Sequence, residues 1–276
     1  MKCAWKELLA ILPPWIAKQA DGQGRDGLQE LRLRLGQAPE LVIGGRSQWG
    51  TGRVEEKDLN FVVNVASRYS PWAAQTVAQG YLTAPGGHRI GLCGEAVVEH
   101  GQMRGIRRVT SLCIRVARDF PGIGEKAPPD GSVLILGPPG SGKTTLLRDL
   151  IRLRSDRGPG SVAVVDERGE LFPAGCFETG KRTDVLTGCS KAQGIDAALR
   201  TMGPTVIAVD EITAEEDCQA LIRGSCCGVA LLATAHASCK ADLLNRPVYH
   251  SLVRSRIFGK ILILQPDKSW KMERMD

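Results

Sequence analysis

Residues 132–154 read SVLILGPPGSGKTTLLRDLIRLR: an unbroken apolar run, a glycine-rich turn, then a helical pattern. A short apolar run without alternation reads as a parallel strand buried on both faces. A strand that turns straight into a helix begins a βα unit, and such units build α/β folds. Gly137 to Thr144 fits G-x-x-x-x-G-K-[ST] without mismatch. Glycines there let consecutive backbone N–H groups wrap around phosphate oxygens, and the helix adds the positive end of its dipole. The expected ATP site is therefore Gly137, Pro138, Pro139, Gly140, Ser141, Gly142, Lys143, Thr144 and Thr145. Lys143 would bridge the β- and γ-phosphates, and the Thr144 hydroxyl would ligate Mg²⁺.

The same alternation continues to the C-terminus. Val162–Val165, Val206–Val209, Val229–Ala233 and Ile261–Leu264 read as further buried strands, and 270–272 as a return strand after Pro266-Asp267. Helical patterns cover 144–154, 192–202 and 215–223. Ligands of such sheets bind at the carboxyl ends of the strands, and polar residues gather there. VIAVDEI places Asp210 for the metal and Glu211 for the attacking water. VVDERGEL adds Asp166, Glu167 and Glu170 at a second strand end. LLATAHA adds Thr234 and His236, where polar groups could sense the γ-phosphate.

The first part of the chain has an α+β pattern. Residues 4–20 read as an amphipathic helix interrupted at Pro13-Pro14. LRLRL, Leu31 to Leu35, alternates with period 2 as a half-buried strand, and Leu41–Ile43 is another. Lys57 to Tyr69 reads as a helix. HRIGLCG and AVVEH read as the two arms of a hairpin, with Ser111–Ala117 a further strand. Two Pro/Gly clusters then mark a boundary. The expected organisation is an N-terminal α+β domain over 1–120, a linker over 121–131 and a P-loop ATPase domain over 132–276.

Composition narrows the partners. The net charge of +6 is mild and spread along the chain, so nucleic acid is not the expected partner. The nine cysteines show no CxxC spacing, which suits reduced cysteines in a cytosolic protein rather than a metal site. The apolar run Leu8–Leu12 is too short for a secretory leader, and no stretch reaches the roughly twenty apolar residues of a membrane span.

The order of GPPGSGKTTLLRD, VVDERGEL, VIAVDEI and LLATAHA resembles the RecA-like secretion ATPases, the motors of type II and type IV secretion and pilus retraction. ELRLRLG, GGHRIGLCGE, SLCIRVAR and KRTDVLTGCSKAQGIDAALRTMGP extend the resemblance to the stage III sporulation AA family of endospore-forming bacteria. The resemblance implies a RecA-like P-loop core with a mainly parallel sheet, preceded by a smaller α+β domain. It implies a ring, expected to be a hexamer, in the mother-cell cytoplasm, reaching the membrane only through embedded channel proteins of sporulation. It implies ATP hydrolysis with Glu211, Lys143, Glu170 and His236 in the site. It also implies arginines supplied from the N-terminal domain, for which Arg89 in GGHRIG and Arg115 in CIRVAR match best. Arg182, Arg32 and Arg34 are further candidates for subunit contacts. Two other readings stay open: a nucleic-acid-stimulated motor using Arg104, Arg107 and Arg108, and an ATP-gated scaffold with little turnover.

Overall fold

The computed structural model describes residues 1–67, 80–173 and 177–275. The chain forms two compact units, Met1–Asp119 with Pro173–Cys176, and Phe120–Phe172 with Phe177–Asp276.

The first unit starts with α1 (Trp5–Ala10) and α2 (Pro14–Gln23). The expected interrupted helix is thus two helices, because Pro14 suits a first helical position but not an interior one. Then follow β1 (Leu28–Arg34), β2 (Glu40–Ile43), β3 (Arg46–Trp49), α3 (Glu56–Ser67), β4 (Tyr81–Thr83), β5 (Arg89–Glu99) and β6 (Gln102–Arg115). The end of the helix expected to reach Tyr69 lies outside the described residues. The strands form one antiparallel sheet in the order β3-β2-β1-β6-β5-β4. Leu31 and Leu33 face the core, fully buried. Between them Arg32 pairs with Glu30 at 2.9 Å, and Arg34 pairs with Glu40 at 2.6 Å.

One expectation here is corrected. HRIGLCG and AVVEH are not two arms but one strand, β5, and its partner is β6. Gly94 in the middle is a bulge, not a turn: a Cβ there would meet the Arg108 carbonyl at 2.4 Å. The real turn is His100-Gly101, with φ of 50° and 74°, the doubly left-handed pair that a tight hairpin demands.

The second unit contains β7 (Val133–Leu136), α4 (Lys143–Arg157), β8 (Val162–Asp166), β9 (Thr183–Thr187), α5 (Lys191–Thr201), β10 (Val206–Val209), α6 (Glu215–Cys226), β11 (Ala230–Ala235), α7 (Lys240–Asn245), α8 (His250–Ser255), β12 (Lys260–Leu264) and β13 (Trp270–Arg274). Its sheet runs β13-β12-β7-β11-β10-β8-β9, parallel throughout except for β13. Leu134, Leu136, Val165, Ile207 and Val209 pack into the core on one face. Val133, Ile135, Val164, Ala208 and Leu232 pack on the other, against Leu147 and Ile151 of α4. Burial on both faces explains the lack of alternation in the sequence. Each fully buried aliphatic side chain contributes about 1.5–3 kcal/mol, so these strands are a rigid base for whatever their ends carry.

The Pro/Gly-rich segment 121–131 is fastened to α4. Asp149 Oδ2 accepts the N–H groups of Gly122 and Gly124 at 3.0 and 2.8 Å. Arg154 donates to the carbonyls of Pro128 and Gly131 at 3.1 and 3.0 Å. Among the described residues no helix is long and apolar enough to cross a membrane.

Candidate functional site

β7 lies inside the sheet, and the chain leaves it toward β8 before returning through β10 to β11. That reversal opens a crevice at the carboxyl ends of β7, β11, β10 and β8. Gly137–Gly142 turns out of β7 into α4 at this place. Gly140 and Gly142 have φ of 74° and 103°, which L side chains resist. Gly137 is glycine for space: a Cβ there would meet Ser141 Oγ at 2.5 Å and Leu264 Cβ at 3.2 Å. The Ser141 hydroxyl is buried and has no hydrogen-bond partner among the described residues. At the start of α4 the first N–H groups have no intrahelical acceptor. A glycine-rich loop running into a helix N-terminus beside an orphaned hydroxyl suits phosphate oxygens. The residues present therefore fit a nucleoside triphosphate.

Lys143 opens α4 and is buried. Its ammonium donates to the Gly137 and Pro138 carbonyls at 2.9 and 3.0 Å. It also lies 3.1 Å from His236 Nδ1. Burial holds the ammonium below its ordinary pKa, opposed by the charges of Asp210 and Glu211. A cation held this way gains most from an anionic partner.

Parallel register assembles the rest. Val209 stands beside Ala233, and Leu136 beside Ala235. The next residue along β10, Asp210, therefore meets Thr234, and His236 meets the phosphate loop. The Thr144 hydroxyl donates to Asp210 Oδ2 at 2.7 Å, so a hydroxyl and a carboxylate of the type that holds Mg²⁺ already touch. The Thr234 hydroxyl donates to Asp210 Oδ1 at 2.6 Å and accepts the Glu211 N–H at 2.7 Å. Glu211 has φ of 52°, a left-handed conformation uncommon for a side chain of this kind. Thr234 is fully buried and committed to its two neighbours. Its hydroxyl bridges the two acidic residues at the strand end where a phosphate-sensing group is expected.

His236 joins the two halves of the crevice. Lys143 donating to Nδ1 leaves the proton on Nε2, which donates to Glu211 Oε1 at 2.8 Å. Glu211 Oε2 lies 3.9 Å from Arg168 Nη1.

The three acids of the loop after β8 differ in what they bind. Asp166 is buried and turned into its own loop, accepting the N–H groups of Glu170, Leu171 and Phe172 at 2.8–3.0 Å. Burial pushes its carboxyl up, against the pull of those N–H groups. Glu167 pairs with the buried Lys191 at 2.7 Å. Asp166, Glu167 and Glu170 line the same crevice as Asp210, Glu211 and Lys191, as expected, and Asp166 also fastens the loop through the N–H groups it accepts.

Arg89 and Arg115 belong to the first unit, where they stand directly opposite each other on β5 and β6. Arg115 also faces Glu30, at 3.7 Å, and Arg89 lies over the Tyr81 ring at 4.5 Å. Arg182 is bound to the carbonyls of Ser155 and Gly158 around the end of α4, where cations complement the helix dipole. Arg104 and Arg107 pair with Glu99 and Glu95 across the hairpin.

Sequence reasoning did not find the cavity beside the phosphate loop. It measures about 680 Å³ and is lined by Ser141, Thr145, Leu264 and Trp270, with Phe120 and Ile123 among the apolar walls. Its residues lie far apart in the chain, so no local motif marks it. Arg168 escaped for a similar reason: its contact with Glu211 depends on strand order, not spacing.

A family model described as sporulation stage III, protein AA, matches residues 8–272. Stage III sporulation protein AA of Bacillus subtilis (strain 168) is 36% identical over 258 residues, covering 87% of this chain and 83% of that protein. Among solved structures, the ATPase DotB of Legionella pneumophila matches with a TM-score of 0.63 at 19% identity, over 95% of this chain and 80% of that chain. The pilus retraction motor PilT, with bound ADP, matches with a TM-score of 0.64 at 18% identity, over 93% and 80%. Identities this low speak to the fold, which is that of the RecA-like secretion ATPases.

Proposed function

The chain belongs to the sporulation stage III, protein AA, family, and from that premise we propose that it is an ATPase that energises or assembles a membrane channel complex during endospore formation. One observation carries the reading. Thr144, Asp210, Thr234, Glu211, His236 and Lys143 form one unbroken set of polar contacts across three strand ends. A solvated surface does not need such a set, whereas phosphoryl transfer on a phosphate loop uses a lysine, a hydroxyl, a metal-holding carboxylate and a water-orienting residue of the kinds found in Lys143, Thr144, Asp210 and Glu211.

The roles follow from the contacts. Lys143 and the loop N–H groups bind the β- and γ-phosphates. Thr144 and Asp210 would hold Mg²⁺, whose charge offsets that of the phosphate oxygens. Glu211 orients water and accepts its proton. His236 donates to Glu211 and keeps its carboxylate facing the crevice. The cavity walled by Trp270, beside Thr145, offers room for the nucleoside. Arg89 and Arg115 complete the site of a neighbouring subunit in a ring, expected to be a hexamer, and stabilise charge in the transition state. Contact with the membrane is through an embedded partner.

ATP binding and hydrolysis by the wild type, Lys143→Ala and Glu211→Gln test this. Lys143→Ala should lose ATP binding. Glu211→Gln should keep binding and lose turnover by roughly a hundredfold or more. Equal slow turnover in wild type and Glu211→Gln would leave an ATP-gated scaffold instead.

A further inference from the structure

The loop after β8 is built more firmly than a solvated turn. The Asp166 carboxylate accepts the N–H groups of Glu170, Leu171 and Phe172. The Gly169 N–H donates to the Asp166 carbonyl at 3.1 Å, and Gly169 itself has φ of 63°. Lys191 anchors the Glu167 side chain at 2.7 Å. Arg148 donates to the carbonyls of Leu171 and Glu170 at 2.6 and 3.2 Å. Arg168 therefore projects from a backbone fastened on both sides.

What it reaches is Glu211. The guanidinium stands 3.9 Å from Oε2, while His236 occupies Oε1 at 2.8 Å. Glu211 is thus held from β11 on one side and from the β8 loop on the other. Lys143, His236, Glu211 and Arg168 make one line across the crevice.

We propose that Arg168 is a positioning residue that sets the plane of the Glu211 carboxylate; this rests on the ATPase reading above. A carboxylate held by one hydrogen bond keeps a broad terminal torsion. A cation facing the second oxygen narrows that freedom and favours one orientation of the carboxylate toward the crevice. Arg168 and Glu211 side chains are 56% and 38% exposed, and at 3.9 Å the pair is too long for a charge-assisted hydrogen bond. Such a pair adds little to stability. Its effect is on orientation, and variants at Arg168 should fold.

Steady-state hydrolysis by Arg168→Ala should show kcat down roughly tenfold, with KM unchanged within about twofold. Arg168→Lys should recover part of the loss. In a Glu211→Gln background, Arg168→Ala should change neither residual turnover nor ATP affinity. Unchanged kcat in Arg168→Ala would overturn the proposal. So would weaker ATP binding in the double variant, since Arg168 would then touch the triphosphate itself. A crystal structure of Arg168→Ala gives a readout independent of turnover. The Glu211 carboxylate should be rotated away from its place in the wild type; an undisturbed Glu211 sinks the idea. Absence of hydrolysis by the wild type would count against the ATPase reading alone.

Discussion

Thr234 shows what a single hydroxyl does in this crevice. It donates to Asp210 and accepts from the Glu211 N–H, and so sets the metal-type carboxylate and the water-type carboxylate together. Valine has nearly the same shape and neither function. Thr234→Val leaves a half-buried acceptor and donor without their protein partner, and should cost about 1 kcal/mol in urea or thermal unfolding. The Glu211 backbone, at φ of 52°, loses the bond that supports it, so hydrolysis should fall further than ATP affinity. Thr234→Ser keeps both bonds and should restore most of the loss. A Thr234→Val protein with wild-type stability and turnover would show the hydroxyl to be dispensable. The phosphate loop, Asp210 and Glu211 were legible as site residues because their chemistry demands adjacent residue types. Thr234 was legible as a strand-end residue but its bonds to Asp210 and Glu211 were not, and neither was Arg168, because these contacts come from which strands lie side by side.

The same distinction holds for whole elements. Buried strands of the second unit were legible, since burial on two faces writes an apolar run. Edge strand β9 was not, because TDVLT is half-exposed and mixes polar residues through the run. In the first unit GGHRIG marks arginine in the sequence, yet its glycine and histidine serve the fold. His88 is fully buried, with Nε2 donating to the Ala4 carbonyl at 2.8 Å and Nδ1 accepting the Ala117 N–H at 3.1 Å. Gly86, at φ of 82°, leaves room for it: a Cβ would meet Ala4 Cβ at 2.6 Å and His88 Nε2 at 2.8 Å. This imidazole therefore ties the segment before α1 to the end of β6. Burial holds it below its ordinary pKa of 6.5. In the unfolded chain the same group takes up a proton as pH falls through about 6.5, while the folded group stays neutral. Protons then favour the unfolded state, so stability declines below about pH 6.5 and is level above it. Urea unfolding between about pH 5 and 7.5 should show this slope. His88→Gln should be less stable overall and lose part of the slope. An identical slope in both proteins would place the pH dependence elsewhere.

At the scale of the assembled molecule, Arg89 and Arg115 pose the main question. They oppose each other across β5 and β6, and like charges directly opposite are unfavourable. Glu30 and the Tyr81 ring offset part of that. Sequence could name both arginines but could not show that they share one row, because that depends on register. If the row serves a neighbouring subunit, two defective chains should repair each other. Lys143→Ala keeps the arginines and lacks a working loop. Arg89→Ala/Arg115→Ala keeps the loop and lacks the arginines. Each alone should be close to inactive. Mixed in equal amounts under conditions that allow subunit exchange, random rings would join an intact loop to intact arginines at about a quarter of their interfaces. Hydrolysis should return to a comparable fraction of the wild-type rate. No recovery, with exchange confirmed by labelled subunits, would mean that the arginines act within their own chain or not at all.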